Sequence, residues 1–129
     1  MDTRGIHHLG LTVADLEQTT RFFTDCLGWS IVREIPEYPA KFVSNGEAFF
    51  TLWQAEAGSS PFDRRTQVGL HHVAIRVADE PGLEEVFRRA ADFPGVVVDF
   101  PPEPLRGGPA RHCMIFEPGG IRMEFIWSP

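Results

Sequence analysis

The feature that most constrains this chain is a ten-residue motif that occurs twice. Residues 6–15, IHHLGLTVAD, return 64 positions later as residues 70–79, LHHVAIRVAD. Self-similarity of this kind predicts that the 129-residue chain contains two copies of one supersecondary unit. Each copy supplies a histidine at the same place, His8 in the first and His72 in the second. If the copies pack about a pseudo-twofold axis, these two side chains face each other.

Composition narrows the class of protein. The formal net charge is -6, which argues against a nucleic-acid partner because such partners select basic surfaces. No apolar run approaches the roughly 18 residues that a membrane-spanning segment needs, and the first ten residues lack the apolar stretch of a signal peptide. Cys26 and Cys113 are too few for a disulfide framework. We therefore expect a cytoplasmic protein with two free thiols.

Periodicity predicts a strand, a helix and three more strands in the first half. Alternation over residues 5–13 indicates a strand, and Asp15 with Gln18 forms the capping-box pattern of a helix start. Gly28 is placed to end that helix, and Asn45-Gly46 is a strong hairpin signal. The three further strands are predicted at residues 29–34, 41–44 and 48–54.

The second half repeats this order, so each half is expected to be β-α-β-β-β. Residues 70–77 alternate as a strand, and Asp79 or Glu80 caps a helix that Pro81 opens. An apolar stripe at helical spacing follows, formed by Leu83, Val86, Phe87 and Ala90. The remaining strands are predicted at residues 96–100, 111–116 and 121–127.

The chain is expected to form a single domain, residues 1–129, of the α+β class. Module one covers residues 5–54 and module two covers residues 68–128. The segment 55–67, rich in Gly, Ser and charge, links them. Residues 101–109, with four prolines and two glycines, are expected to form a surface loop that reaches over a site.

Two βαβββ modules that each begin with a histidine-bearing strand resemble the vicinal-oxygen-chelate superfamily. The resemblance rests on HHLGLTVADLEQTTRFFTDCLGW in the first half and on GLHHVAIRVAD and MIFEPGGIRMEF in the second. The superfamily includes glyoxalase I, extradiol dioxygenases, methylmalonyl-CoA epimerase, fosfomycin-resistance enzymes and bleomycin-binding proteins. It implies an open, cup-shaped mixed sheet around a metal site. Glu117 and Gly119 depart from its FxDPDGxxxE pattern, in which both positions are Asp.

The resemblance also implies a set of metal ligands. His8 and His72 match the first-strand ligands of the two modules, and Glu124 matches the last-strand ligand of module two. The fourth place, found by aligning FFTLW with RMEFI, falls on Thr51, a poor metal ligand that leaves the place to water or substrate. Two imidazoles and one carboxylate are the ligands of non-haem Fe(II) oxygenases and also accept Mn, Ni or Zn. The expected cofactor is therefore one divalent ion of these four kinds.

Strand parity supports this ligand set from the residues alone. His8, His72 and Glu124 all lie on the face that alternation assigns to the cavity. A carboxylate inside an apolar strand is also costly to bury without a partner. His7 and His71 have the opposite parity, so a solvent-facing position is the first interpretation and a supporting role behind the ligands is the second.

His112 is the candidate catalytic residue. It lies twelve residues before Glu124, and alternation places the two on the same face. A histidine there is an acid–base group or a hydrogen-bond donor to substrate, or else a partly exposed strand histidine.

Other side chains are candidates for contact with substrate. A pocket above the metal is expected to be lined by Phe49, Thr51, Trp53, Met114 and Phe116, although core packing is the commoner use of the apolar members. Arg64, Arg65 and Arg106 are interpreted as solvated loop charges, with recognition of an anionic substrate group as the alternative.

Three classes of function remain open. The first is a metalloenzyme that binds adjacent oxygens of a small substrate, with an extradiol-type dioxygenase or a lyase as the best branch. The dioxygenase branch normally carries a Tyr where Met114 stands, and fosfomycin transferases carry a Thr where Gly10 stands. Glyoxalase I and the epimerase use a fourth protein ligand, which Thr51 does not supply. The second class is a metal-free drug-binding protein of the bleomycin-resistance kind, and the third is a structural or interaction module.

The resemblance further implies self-association. Proteins of this superfamily commonly pair, and open sheets with apolar edges favour association, so we expect a homodimer of twofold symmetry. The linker is long enough for His8 to meet His72 of its own chain or of a partner chain. The other expected partner is a small-molecule substrate, with neither nucleic acid nor membrane.

Overall fold

The computed structural model comprises residues 1–129 and divides into two compact units, Met1–Ser59 and Ser60–Pro129. Their boundary lies inside the segment 55–67 that was predicted to be a linker. Each unit contains one open four-stranded sheet with helical segments on the connections. The chain is therefore a mixed α+β protein, as the sequence predicted.

The first unit has the strand–helix–strand–strand–strand order predicted for it. The elements are β1 (Leu9–Val13), α1 (Leu16–Arg21), a π-helical turn (Phe22–Cys26), β2 (Ser30–Ile35), β3 (Ala40–Ser44) and β4 (Phe49–Gln54). The sheet has the order β1-β4-β3-β2, with β1 parallel to β4 and the other pairs antiparallel.

Local signals account for the ends of these elements. The Asp15 side chain accepts a hydrogen bond from the Gln18 backbone N–H at 3.0 Å, which caps α1 as predicted. The helix then widens into the π-helical turn, which sequence periodicity did not distinguish from an α-helix. Gly28 follows with a φ of 74°, the left-handed conformation that ends helices. The side-chain oxygen of Asn45 accepts from the N–H groups of Glu47 and Ala48, which closes the predicted hairpin.

The second unit repeats the topology. The elements are β5 (Val73–Arg76), α2 (Glu80–Asp92), β6 (Val97–Pro104), a 3₁₀ turn (Leu105–Gly107), β7 (Arg111–Phe116) and β8 (Arg122–Trp127). The sheet has the order β5-β8-β7-β6, again with the first strand parallel to the last. Asp79 caps α2 by accepting from the Gly82 N–H at 2.7 Å, and Pro81 lies in the first turn as predicted.

The prediction of a surface loop over residues 101–109 was wrong in its first half. Pro101, Pro102 and Pro104 belong to β6, which pairs with β7 as far as Pro104. Proline is tolerated there because β6 is an edge strand, where N–H groups on the outer side need no partner. The pairing of β6 with β7 shifts register between Val98 and Phe100 and again between Phe100 and Glu103, so this part of β6 is irregular.

One face of each sheet packs against its helix and forms the core. In the first unit Val13, Val43 and Leu52 are at most 1% exposed, and in the second Ile115 and Phe125 are equally buried. The residues that alternate with these point to the other face, which carries the candidate site residues. No helix of the structure is both long enough and apolar enough to span a membrane.

Candidate active site

Strand register gives the two units an equivalent row of residues across the face opposite the helix. In the first unit Thr51 lies between Gly10 and Phe42. In the second unit Glu124 lies between Ala74 and Met114. Gly10 and Ala74 are 64 residues apart in sequence, the spacing of the repeated motif. The registers therefore agree with the alignment that made Thr51 the counterpart of Glu124.

Glu124 is a buried carboxylate held by two histidines. Its residue is 7% exposed, although it lies in a strand with apolar neighbours. One oxygen, Oε2, is 3.2 Å from His72 Nε2, and the other, Oε1, is 3.1 Å from His112 Nδ1. These contacts supply the partners that a buried carboxylate requires. The structure thus brings together three residues that the sequence singled out.

His112 is fixed in place by its surroundings. Its side chain is 12% exposed, and its ring packs edge-on against Phe100 with centroids 5.0 Å apart. The other ring nitrogen, Nε2, is 3.9 Å from Glu103 Oε1, which is too long for a hydrogen bond. His112 Nδ1 is therefore hydrogen-bonded to Glu124, whereas Nε2 makes no hydrogen bond.

Adjacent histidines pair in both units. His7 Nδ1 lies 2.9 Å from His8 Nδ1, and His71 Nδ1 lies 2.8 Å from His72 Nδ1. Such a contact requires that one nitrogen carries the proton and the other accepts it. Solvent exposure of His7 and His71, the first interpretation from parity, holds, yet each also contacts its neighbour. His8 itself is exposed and its ring lies 5.9 Å from that of Phe49.

The corresponding face of the first unit is aromatic. Trp53 donates from Nε1 to Thr51 Oγ1 at 2.9 Å, and a Cβ on Gly10 would approach that oxygen to 3.2 Å. The Phe42 ring lies 5.7 Å from Trp53 and 5.8 Å from Phe49. Of the residues predicted to line a pocket, three thus form one surface in the first unit. Met114 and Phe116 lie in the second unit, on the face that carries Glu124.

The structure gathers no complete group of three or more His, Cys, Asp or Glu side chains in a metal-binding arrangement. His72 and Glu124, two of the three predicted ligands, are in contact within the second unit. His8 lies in the first unit, at the place equivalent to His72. The predicted ligand set therefore stays a prediction.

Three basic side chains lie near His71, just before β5. Partial loss of solvent and, after it, the charges of His72, Arg122 and Arg64 lower the pKa of His71. Arg122 is paired with Asp99 through two contacts of 2.9 and 3.0 Å. Arg64 lies over the ring of Phe116, 5.6 Å from its centroid. Arg64 is partly buried, which corrects its interpretation as a solvated loop charge. Because Arg64 and Phe116 are distant in sequence, no local sequence pattern indicated their contact.

Glu117, which stands where the family pattern has Asp, is buried to 1% exposure. Its Oε1 accepts a hydrogen bond from the Ile121 N–H at 3.0 Å, across the turn that joins β7 to β8. Glutamate therefore bridges the turn with its longer side chain.

Comparison with known proteins identifies the family. The sequence model of the Glyoxalase/Bleomycin resistance protein/Dioxygenase superfamily matches residues 5–125. The chain belongs to this superfamily. A glyoxylase/bleomycin resistance protein/dioxygenase domain from Frankia sp. EAN1pec superposes with a TM-score of 0.84, covering 99% of this chain and 100% of that one at 24% identity. The superfamily fold expected from the repeated motif is confirmed.

Curated members of the superfamily with similar sequences are enzymes. The chain is 30% identical over 132 residues to a lactoylglutathione lyase of Arabidopsis thaliana, covering 97% of this chain and 44% of that protein. It is 28% identical over 148 residues to the 2-epi-5-epi-valiolone epimerase of an Actinomyces species, covering 96% of this chain and 79% of that protein. The chain thus spans less than half of the plant relative.

Proposed function

We propose that this chain is a metal-dependent enzyme that moves a proton on a small substrate with two adjacent oxygens, as a lyase or an epimerase. The observation that carries the proposal is the 3.2 Å separation of His72 Nε2 and Glu124 Oε2. Two ligands about 2.1 Å from one cation lie about 3.0–3.4 Å apart at tetrahedral to octahedral angles. The pair therefore fits a metal without rearrangement, and His8 remains the predicted third ligand.

The chemistry of the donors agrees with this assignment. Imidazole nitrogen and carboxylate oxygen accept Fe, Mn, Ni or Zn, and the bound ion supplies Lewis-acid polarisation of a substrate oxygen. In both units the Nδ1 atom of the proposed ligand contacts the neighbouring histidine. That contact leaves Nε2 as the nitrogen of His8 and His72 that is available to a metal.

His112 is the proposed proton carrier. When its Nδ1 donates to Glu124 Oε1, a neutral ring presents Nε2 as a proton acceptor. The contact with Phe100 and the low exposure of the ring fix the direction of that nitrogen. The first unit has Ala40 at the register position of His112, so it supplies no general base there. His112 offers one in the second unit.

The curated relatives support proton transfer over oxygen chemistry, because one is named a lactoylglutathione lyase and the other a 2-epi-5-epi-valiolone epimerase. Extradiol ring cleavage, which the same ligand types accept, is the competing outcome. Fosfomycin modification and metal-free drug binding are further outcomes of the same test.

An activity panel on the metal-loaded protein tests the proposal. The substrates are the methylglyoxal–glutathione hemithioacetal, a 2-substituted epimerisable ketone, a catechol with O₂, and fosfomycin. We expect metal-dependent turnover of one of the first two, with deuterium taken up from D₂O. Oxygen consumption with the catechol, or turnover without metal, would contradict the proposal.

Variants of His112 separate catalysis from metal binding. His112→Asn keeps a donor near the place of Nδ1 but has no equivalent of Nε2. We expect kcat to fall by about 10²–10⁴-fold in His112→Asn, while metal content and KM change little. A variant that retains kcat would remove His112 from the proton-transfer role.

A further inference from the structure

Arg64 differs from the other partly buried arginines of the second unit because it has no carboxylate partner. Arg111 pairs with Glu80 and Glu84, and Arg122 pairs with Asp99. Arg64 is also partly buried, and its Nε atom is fully buried without a hydrogen-bond partner. A charged donor in this position is costly unless an acceptor reaches it.

A compact turn holds Arg64 in place. The backbone carbonyl of Asp63 accepts from the N–H groups of Thr66 and Gln67 at 3.2 and 2.9 Å. The Asp63 carboxylate accepts from the Arg65 N–H at 2.9 Å, and the Asp63 N–H donates to the Gln67 side chain at 2.6 Å. Asp63 is thus engaged with the turn's backbone and does not neutralise Arg64.

The guanidinium lies over Phe116, whose side chain is on the face of the second sheet that carries Glu124. Its carbon atom is 5.6 Å from the centroid of the Phe116 ring, close enough for a cation–π contact. Phe116 is in register with Arg122, two residues along each strand from the pair Met114 and Glu124. Two residues along a strand span about 6.8 Å, so the ring that Arg64 covers belongs to the residue pair next to Glu124 on that face.

We propose that Arg64 binds an oxyanion of the substrate, a carboxylate or a phosphate-type group. A planar guanidinium with a buried, unoccupied Nε–H is suited to such a group, because carboxylate and phosphate oxygens accept from it in a charge-assisted hydrogen bond. This assignment rests on the proposed function, in which two adjacent oxygens of the substrate contact the metal. It adds a contact between Arg64 and a separate anionic group of the same substrate. The substrate class is then a small molecule with two adjacent oxygens and a separate anionic group.

The Arg64 Nε–H resonance measures this binding directly. The full-length protein, treated with a chelator, is titrated in ¹H–¹⁵N spectra with inorganic phosphate and, separately, with acetate. We expect a saturable shift of that resonance with at least one probe. Saturation by phosphate alone assigns a phosphate-type group, and saturation by acetate assigns a carboxylate. The readout on the unmodified protein does not depend on whether a variant folds.

Arg65 provides a matched control because it is the exposed neighbour in the same turn. We expect Arg64→Gln to weaken binding of the saturating probe by about tenfold or more, and Arg65→Gln to weaken it less than about twofold. No saturable shift with either probe, or equal weakening by the two variants, overturns the proposal. Because the protein is metal-free, failure here leaves the metal proposal standing, and absence of metal binding leaves this measurement unaffected.

Discussion

The place that Thr51 and Glu124 share in the two units carries the clearest chemical difference between them. Thr51 is buried and its hydroxyl accepts from Trp53, so the first unit satisfies this place with a neutral hydrogen bond. Glu124 is also buried but charged, and two histidines contact it. The repeated fold therefore contains one place with a neutral hydrogen bond and one with a buried carboxylate between two histidines.

Replacing Thr51 by glutamate should change metal binding. We expect Thr51→Glu to tighten binding of a divalent ion by supplying a fourth ligand, and to slow turnover that needs the open position. The control is Thr12→Glu, which adds a carboxylate to the same face of the sheet on the neighbouring strand β1. It should leave metal affinity unchanged. Titration calorimetry decides, and weaker metal binding in Thr51→Glu would contradict the equivalence of the two places.

The Cys113 thiol gives a test of stability against pH. Burial raises the pKa of Cys113 to about 12 from its usual value near 9, so the unfolded thiol ionises at lower pH than the folded one. The free energy of unfolding should therefore fall as pH rises between about 9 and 12. Urea unfolding of Cys113→Ala should show a shallower fall over this range. An identical pH dependence in the variant would place the thiol in a more solvated environment.

An aspartate caps the N-terminus of each of the two α-helices. The Asp79 side chain is 2.7 Å from the Gly82 N–H, and Asp15 makes the equivalent contact with Gln18. Caps of this kind satisfy N–H groups that the helix leaves without partners. Gly82 matters to the first of them, because a Cβ at that position would lie 2.9 Å from the Asp79 carboxylate.

Loss of the α2 cap should destabilise the protein. We expect Asp79→Ala to lower the free energy of unfolding by about 1 kcal/mol. Asp92→Ala, at the last residue of the same helix, removes a negative charge from the C-terminal end of the dipole and should be neutral or slightly stabilising. Chemical denaturation measures both, and equal effects would show that the Asp79 cap contributes nothing.

The sequence predicted order and type of the elements better than their local detail. The spacing of apolar residues and the capping residues located all eight strands and both α-helices. Both are local signals that can be read from neighbouring positions in the sequence. The π-helical turn at Phe22–Cys26 and the extension of β6 through its prolines depend on packing and on edge position. These are set by contacts distant in sequence.

The candidate site divides in the same way. Parity predicted that Glu124 and His112 share a face, and they are in contact. It did not predict the paired Nδ1 atoms of the adjacent histidines or the position of Arg64 over Phe116, because side-chain direction at strand ends and in turns is not set by alternation.

The two units share one fold, but the exposed faces of their sheets carry different side chains. The sheet face of the first unit is aromatic around Trp53, whereas that of the second carries His112, Glu124 and arginines. The edge strands of both sheets expose apolar side chains. In β2 these are Ile31 and Val32, and in β6 they are Val97 and Val98.

Such edges favour association, and the expected homodimer stays a prediction. Sedimentation equilibrium at micromolar concentration should give twice the chain mass. Val97→Lys, which places a charge on the edge of β6, should shift the equilibrium toward monomer if that edge takes part. A monomer mass for the unmodified protein would refute the dimer.

The metal content of the purified protein tests the central proposal most directly. We expect one divalent ion per chain in the unmodified protein and a loss of affinity greater than about 100-fold in Glu124→Gln, which preserves the size of the side chain. Glu103→Gln, which alters an exposed carboxylate of β6, should retain the ion. Stoichiometric metal in Glu124→Gln, or none in the unmodified protein after exposure to Fe, Mn, Ni and Zn, would contradict the account.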